Sequence, residues 1–330
     1  MKKQYLYIGN CSEKGIIKYK FDDNKLEYMF STNDFSRCTY LAQTSEYIYT
    51  TQEICDLNNK NSGYIIFYKK NLNNLNFIGK IESLGSYPCH IELSNKNGII
   101  FISNYMDGYF TAYKIEKNGT FGNKLLNEVI DKNKSHMHCC KLFNDEKNLI
   151  TIDLGTNIVA VYSIYSNTVK KITQLQLPEN TEPRHISVYN NIIFLITEKS
   201  CELYVLELKN NQLQILRKIS ILPPDYIKKD SDTGAAIKIS KDGKYIYSTI
   251  RGHNSISVFK YEDENIKFIQ NISSYGQIPR DLEIDKTQKY VFVANQNSDE
   301  IAIFKRNIET GKLSYINSYN VPSPTCILVE

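Results

Sequence analysis

Residues able to handle a proton or an anion recur in short, similar groups along this chain. One group is Pro183-Arg184-His185, followed after a short apolar stretch by Thr197-Glu198. Others are Pro88-Cys89-His90 with Asn104-Tyr105, His136-Met137-His138 with Asp153, Arg251-Gly252-His253, and Pro279-Arg280-Asp281 with Asn295-Gln296. All five histidines of the chain fall in this set. An imidazole or carboxylate poised near neutrality can take a proton from water. A guanidinium can stabilise a developing oxyanion and hold a phosphate or carboxylate bidentately. Arg184, Arg251 and Arg280 together point to a small anionic substrate.

These groups must be positioned by strands. Residues 183–198 read as strand, tight turn, strand, so an antiparallel hairpin returns Glu198 to the side of Arg184 and His185. Equivalent hairpins start near Cys38, His90, His138, His185, Ala236, Asp281 and Cys326, which gives seven units of 45 to 52 residues. Each has room for four short strands, and Phe110–Ile115 and Ile256–Tyr261 alternate as half-buried strands do. No amphipathic helix stands out. Four-stranded repeats of this length predict an all-β, seven-bladed β-propeller occupying residues 1–330 as one domain. The last unit has one strand, from Pro324, and the N-terminus supplies three without an anchor: Tyr5–Gly9, Gly15–Phe21 and Lys25–Ser31. The two ends are therefore expected to share one blade. In a propeller the first strand lines the channel, so the start of the first strand and the end of the second share one rim. Every polar group named above sits at one of those two places.

Composition narrows the function classes. Hydrophobic residues make up 42% and charged residues 23%, enough apolar content for a core. A net charge of +4 is too small to argue for nucleic acid. No apolar run is long enough for a membrane span or a signal peptide. The eight cysteines contain no Cys-x-x-Cys pair, so reduced thiols in a cytoplasmic protein are expected.

His136-Met-His138, Asp153-Leu-Gly155, Pro183-Arg184-His185, Arg251-Gly-His253-Asn-Ser-Ile, Pro279-Arg280 and Asn295-Gln296-Asn-Ser-Asp299 occur in one order along the chain. In that order they resemble the lactonase family of seven-bladed propellers, over essentially the whole length. The resemblance implies metal- and cofactor-independent opening or closure of a lactone ring. The expected activity is 6-phosphogluconolactonase, in the pentose phosphate route, on a phosphorylated sugar lactone. A muconate-type lactonizing cyclase and a non-catalytic interaction platform are the alternatives, with a monomer or weak homodimer in each case. By position the family's catalytic group falls on His136 or His138, Arg184, Glu198 and Arg251. His138 or Glu198 would be the base, and Arg184 or Arg251 would meet the oxyanion. Arg280 would hold the phosphate, with His90, Asn104, Tyr105, His185, Asn295 and Gln296 around the substrate. Ile250 and Thr197-Glu198-Lys199 depart from the family's usual residues there.

Plainer roles compete at several positions. His90, His185 and His253 could be structural, Arg280 a brace to a neighbouring carboxylate, and Asp153 a turn tie. Asn104-Tyr105 and Asn295-Gln296 could join blade to blade. His136-x-His138 spacing suits a metal, but no third ligand is evident, so no metal is expected.

Overall fold

The computed structural model describes residues 3–54 and 63–330, and Cys55 lies outside them. It contains seven four-stranded antiparallel sheets. Their innermost strands are Cys38–Gln43, Pro88–Ser94, Met137–Phe143, Pro183–Tyr189, Thr233–Ile239, Pro279–Ile284 and Pro324–Val329. We number the blades one to seven by these strands. Among the described residues the one helical element is a single 3-10 turn, Gln296–Ser298. The expected seven-bladed, all-β architecture is present.

Burial along each blade explains why these segments form sheets. Second strands are sandwiched between neighbouring blades and are apolar on both faces; Ile99–Asn104 and Tyr290–Asn295 are buried throughout. The outermost strands face solvent on one side and alternate, as in Leu313–Asn320. Core clusters lie between blades: Leu6, Ile8 and Phe21 of blade seven pack on Phe292 and Ile303 of blade six. The Phe21 and Phe292 rings meet edge to face at 4.9 Å. Each fully buried side chain of this size contributes about 1.5–3 kcal/mol.

The termini share blade seven as expected. The C-terminal strand lies innermost in that sheet and the N-terminal strand, Gln4–Asn10, is second. Ile8 pairs with Ile327 and Tyr7 with Leu328. The Glu330 carboxylate then locks the end of the chain, 2.8 Å from Lys70 and 3.4 Å from Lys18. In blade two the fourth strand is Phe121–Glu128.

One feature of register was not legible. In every blade the pairing of first and second strands slips near the channel entrance. The slip lies between Pro88 and His90, Met137 and Cys139, Pro183 and His185, and Pro279 and Asp281. Blades one and five slip between Cys38 and Leu41 and between Gly234 and Ile237. A bulge inserts an unpaired residue and re-aims side chains. The residues at these slips include Cys89, His138, Arg184 and Arg280.

Candidate active site

Six of the seven blades send residues into one narrow cavity at the entrance end of the channel. Thr39, Tyr40, Glu53, Cys89, His138, Arg184, His185, Arg280 and Thr325 line it, and its volume is about 10 Å³, close to one water molecule. Arg184 and His185 both reach it although they are neighbours on one strand. Simple alternation would put them on opposite faces, and the bulge at Arg184 removes that constraint.

The charged centre is an arginine–glutamate–arginine triad. Arg184 Nε faces Glu198 Oε2 at 3.1 Å as a close ion pair off the line of a good hydrogen bond. Arg251 Nη2 lies 2.8 Å from Glu198 Oε1. Backbone contacts hold Glu198 on both sides: its N–H donates to Glu182 O and its carbonyl accepts from Gly234 N–H. Arg184 Nη1 donates to Ala235 O of the next blade. The small residues Gly234-Ala235-Ala236 make this crossing possible, since a Cβ on Gly234 would meet Thr197 O at 2.3 Å. Burial would raise Glu198, but Arg251 and Arg184 outweigh it and hold the carboxyl below its usual value. Burial and Arg251 pull Arg184 below the ordinary arginine value while Glu198 opposes them. A guanidinium nonetheless remains charged at neutral pH. Arg184 is only 1% exposed, so it cannot itself grip a ligand outside the channel.

A belt of rings crosses the channel beside this triad. Tyr40 and His90 lie 4.2 Å apart between centroids, His90 and His185 6.1 Å, and His185 and His138 5.2 Å. Tyr105 continues it, 5.8 Å from His138 and stacked on His136 at 4.8 Å. Burial drives all three channel histidines well below the ordinary value, with Arg184 adding to the effect on each. They are neutral at physiological pH. His138 Nδ1 is buried without a hydrogen-bond partner among the described residues.

The remaining expected residues separate into near and far. His136 precedes its strand and sits at the rim, its Nδ1 2.7 Å from Tyr105 O. The two histidines of His136-x-His138 thus part company, and no group of three metal-binding side chains occurs among the described residues. Arg280 reaches the cavity and donates to Gln296 Oε1 at 3.4 Å. His90 lies deeper, its Nε2 3.3 Å from Cys139 Sγ. Asn104 and Asn295 are fully buried joints between blades, donating to Ser83 O at 3.3 Å and Ser274 O at 2.9 Å. Asp153 ties a turn, its Oδ1 accepting from the N–H groups of His136 and Gly155. His253 bonds Ser255 and packs edge-on against Tyr226.

Sequence reasoning missed two sets of charges. Glu53 directly follows the second strand of blade one, Tyr47–Gln52, and lines the entrance cavity. At the opposite mouth Lys141 pairs with Glu92 at 3.0 Å and Lys238 with Glu283 at 2.6 Å, beside buried Asp281. These last residues stand at the far ends of first strands. Their period-2 spacing from His90, Cys139, Ala236 and Asp281 was the available signal.

The chain is thus a seven-bladed propeller with arginine, glutamate and neutral histidine gathered at one channel entrance. Residues 5–329 match the family model described as Lactonase, 7-bladed beta-propeller, and the chain belongs to that family. Among its relatives, a 6-phosphogluconolactonase of Bacillus subtilis is 24% identical, with 99% of this chain and 98% of that protein covered. An uncharacterised protein of Lactococcus lactis is 29% identical, with 99% of each covered. A solved structure of a periplasmic gluconolactonase from Pseudomonas aeruginosa superposes with a TM-score of 0.89 at 22% identity, covering 99% of both chains. At that identity the likeness concerns the fold.

Proposed function

We propose that this protein hydrolyses sugar lactones and that its substrate is 6-phosphoglucono-δ-lactone. The observation that carries the proposal is the Arg184–Glu198–Arg251 triad set beside neutral His138 and a third arginine, Arg280. The activities printed for the Bacillus subtilis and Pseudomonas aeruginosa proteins agree with it. Glu198 is a poor general base, because both its oxygens face guanidinium groups that stabilise its charged form. Its role is to fix the arginines. Of the two, Arg251 is the one that can meet substrate: its side chain is partly exposed, and its buried Nε–H has no partner among the described residues. It would stabilise the oxyanion formed when water adds to the lactone carbonyl. Arg280 would hold the phosphate. His138 would accept a hydrogen bond from the attacking water through Nδ1. Seven free cysteines among the described residues suit a reducing, cytoplasmic setting.

The test is initial-rate turnover of freshly made 6-phosphogluconolactone, with Arg251→Ala and Glu198→Ala as controls. The expected result is saturable acceleration by the wild type and a fall of about 10²-fold or more in Arg251→Ala. Equal rates with and without protein would overturn the proposal. Cyclisation of a carboxy-muconate by the same preparation would assign the reverse, lactone-forming chemistry instead.

A further inference from the structure

Glu53 stands where Glu198 stands, three blades away around the ring. Each glutamate is the residue after the last paired position of its hairpin: Cys38 pairs with Gln52, and Pro183 with Thr197. The two are used differently. Glu198 has both oxygens on arginines. Glu53 has its backbone clamped by Arg37, whose carbonyl accepts Glu53 N–H at 3.1 Å and whose Nε donates to Glu53 O at 2.8 Å. That clamp uses only the backbone of Glu53, and among the described residues its buried Oε2 has no hydrogen-bond partner.

Two buried polar atoms without partners among the described residues, Glu53 Oε2 and His138 Nδ1, therefore belong to residues lining one cavity of about 10 Å³. That volume suits one water, which needs two to four polar partners and has two O–H donors. A sugar lactone does not fit such a space and must sit above it. We propose that this cavity is the seat of the hydrolytic water and that Glu53 is the general base that activates it, an inference that rests on the lactonase assignment above.

Charge decides which acceptor takes the proton. A proton on His138 would create an imidazolium facing Arg184 and Arg280, and both guanidiniums oppose it. A proton on Glu53 Oε2 places no new cation beside those guanidiniums. The step balances as follows. One O–H bond of water breaks and its proton passes to Glu53 Oε2. The water oxygen forms a bond to the lactone carbonyl carbon, whose oxygen becomes the oxyanion. Collapse of the tetrahedral species breaks the ring C–O bond, and the proton held by Glu53 returns to the departing ring oxygen. Ring opening gives the carboxylic acid, which ionises in solution. Neutral His138 holds the second O–H of the water and fixes its direction of attack.

The experiment compares wild type, Glu53→Gln and Glu53→Gly on 6-phosphogluconolactone. Glu53→Gln should lower kcat by about 10²- to 10⁴-fold with KM changed less than about threefold. Its thermal midpoint should stay within about 3 °C of wild type. Added formate should restore part of the lost kcat in Glu53→Gly, an outcome that a purely structural role would not give. Wild-type kcat in Glu53→Gln overturns the role of Glu53 and leaves the lactonase assignment standing. Loss of activity in Glu53→Gly that formate does not restore, with folding intact, also overturns it. A wild type that accelerates no lactone removes both.

Discussion

Acidification should destabilise this fold steeply, and the channel histidines set the slope. His90, His138 and His185 are held neutral in the folded protein, by burial first and then by Arg184 and the neighbouring lysines, arginines and histidines. In the unfolded chain they titrate near 6.5. Below that pH the unfolded state binds three protons that the folded state refuses, so stability falls as pH falls. Asp281 works the other way. Burial, opposed by Lys238, raises its carboxyl to about 6, so the folded state takes up one proton there while the unfolded carboxyl waits until about 4. The net difference is about two protons between pH 5.5 and 4, a slope of about 2.7 kcal/mol per pH unit. Between pH 6 and pH 5 the loss should be about 3 kcal/mol. Glu198 and Glu330, whose carboxyls are lowered, add to the loss only below the ordinary carboxylate range. Urea titrations at half-unit pH steps read this directly, and the midpoint should drop by about 1 M over that unit. Asp281→Asn removes the opposing group and should steepen the slope to about 4 kcal/mol per pH unit. A midpoint flat from pH 6.5 to 5, or an Asp281→Asn slope no steeper than wild type, would show that these buried groups do not set the pH dependence.

Three further outcomes follow from the same geometry. Glu198→Gln leaves buried Arg184 and partly exposed Arg251 without their counter-ion and should cost about 3–5 kcal/mol by chemical denaturation, whereas a charge-free Arg184→Met, Glu198→Gln pair should recover part of that loss. Gly234→Ala forces a Cβ toward Thr197 O and should cost about 1–3 kcal/mol, with activity falling as Arg184 loses its seat on Ala235. A chain ending at residue 323 lacks the inner strand of blade seven and the Glu330 lock, and should lose its cooperative melt; an unchanged midpoint would deny that the termini close the ring.

The repeat made the fold legible, because strand period, turn residues and the shared last blade all leave marks in local sequence. The rim was legible for the same reason: first-strand starts and second-strand ends must lie together. What lay beyond the sequence was the bulge at the channel entrance. It let Arg184 and His185 both reach the cavity, and it separated His138 from His136, which alternation had placed on one face. Glu53 was hidden because its blade begins with Ser36-Arg37-Cys38, without the proline or histidine that marks every other blade start but that of blade five. Asn104 and Asn295 carry the marks of the rim yet serve as joints between blades. Only the position of the neighbouring connection, at Ser83 and Ser274, distinguishes the two roles. The paired lysines and glutamates of the opposite mouth were visible as charges, but only the radial arrangement turns them all inward.

The most direct test of the whole account is proton release in weakly buffered solution when wild-type protein meets fresh 6-phosphogluconolactone, against unphosphorylated gluconolactone and a protein-free control. The expected result is saturable release well above the spontaneous rate, with the phosphorylated lactone preferred and that preference weakened in Arg280→Gln. Release at the spontaneous rate for both lactones would contradict it.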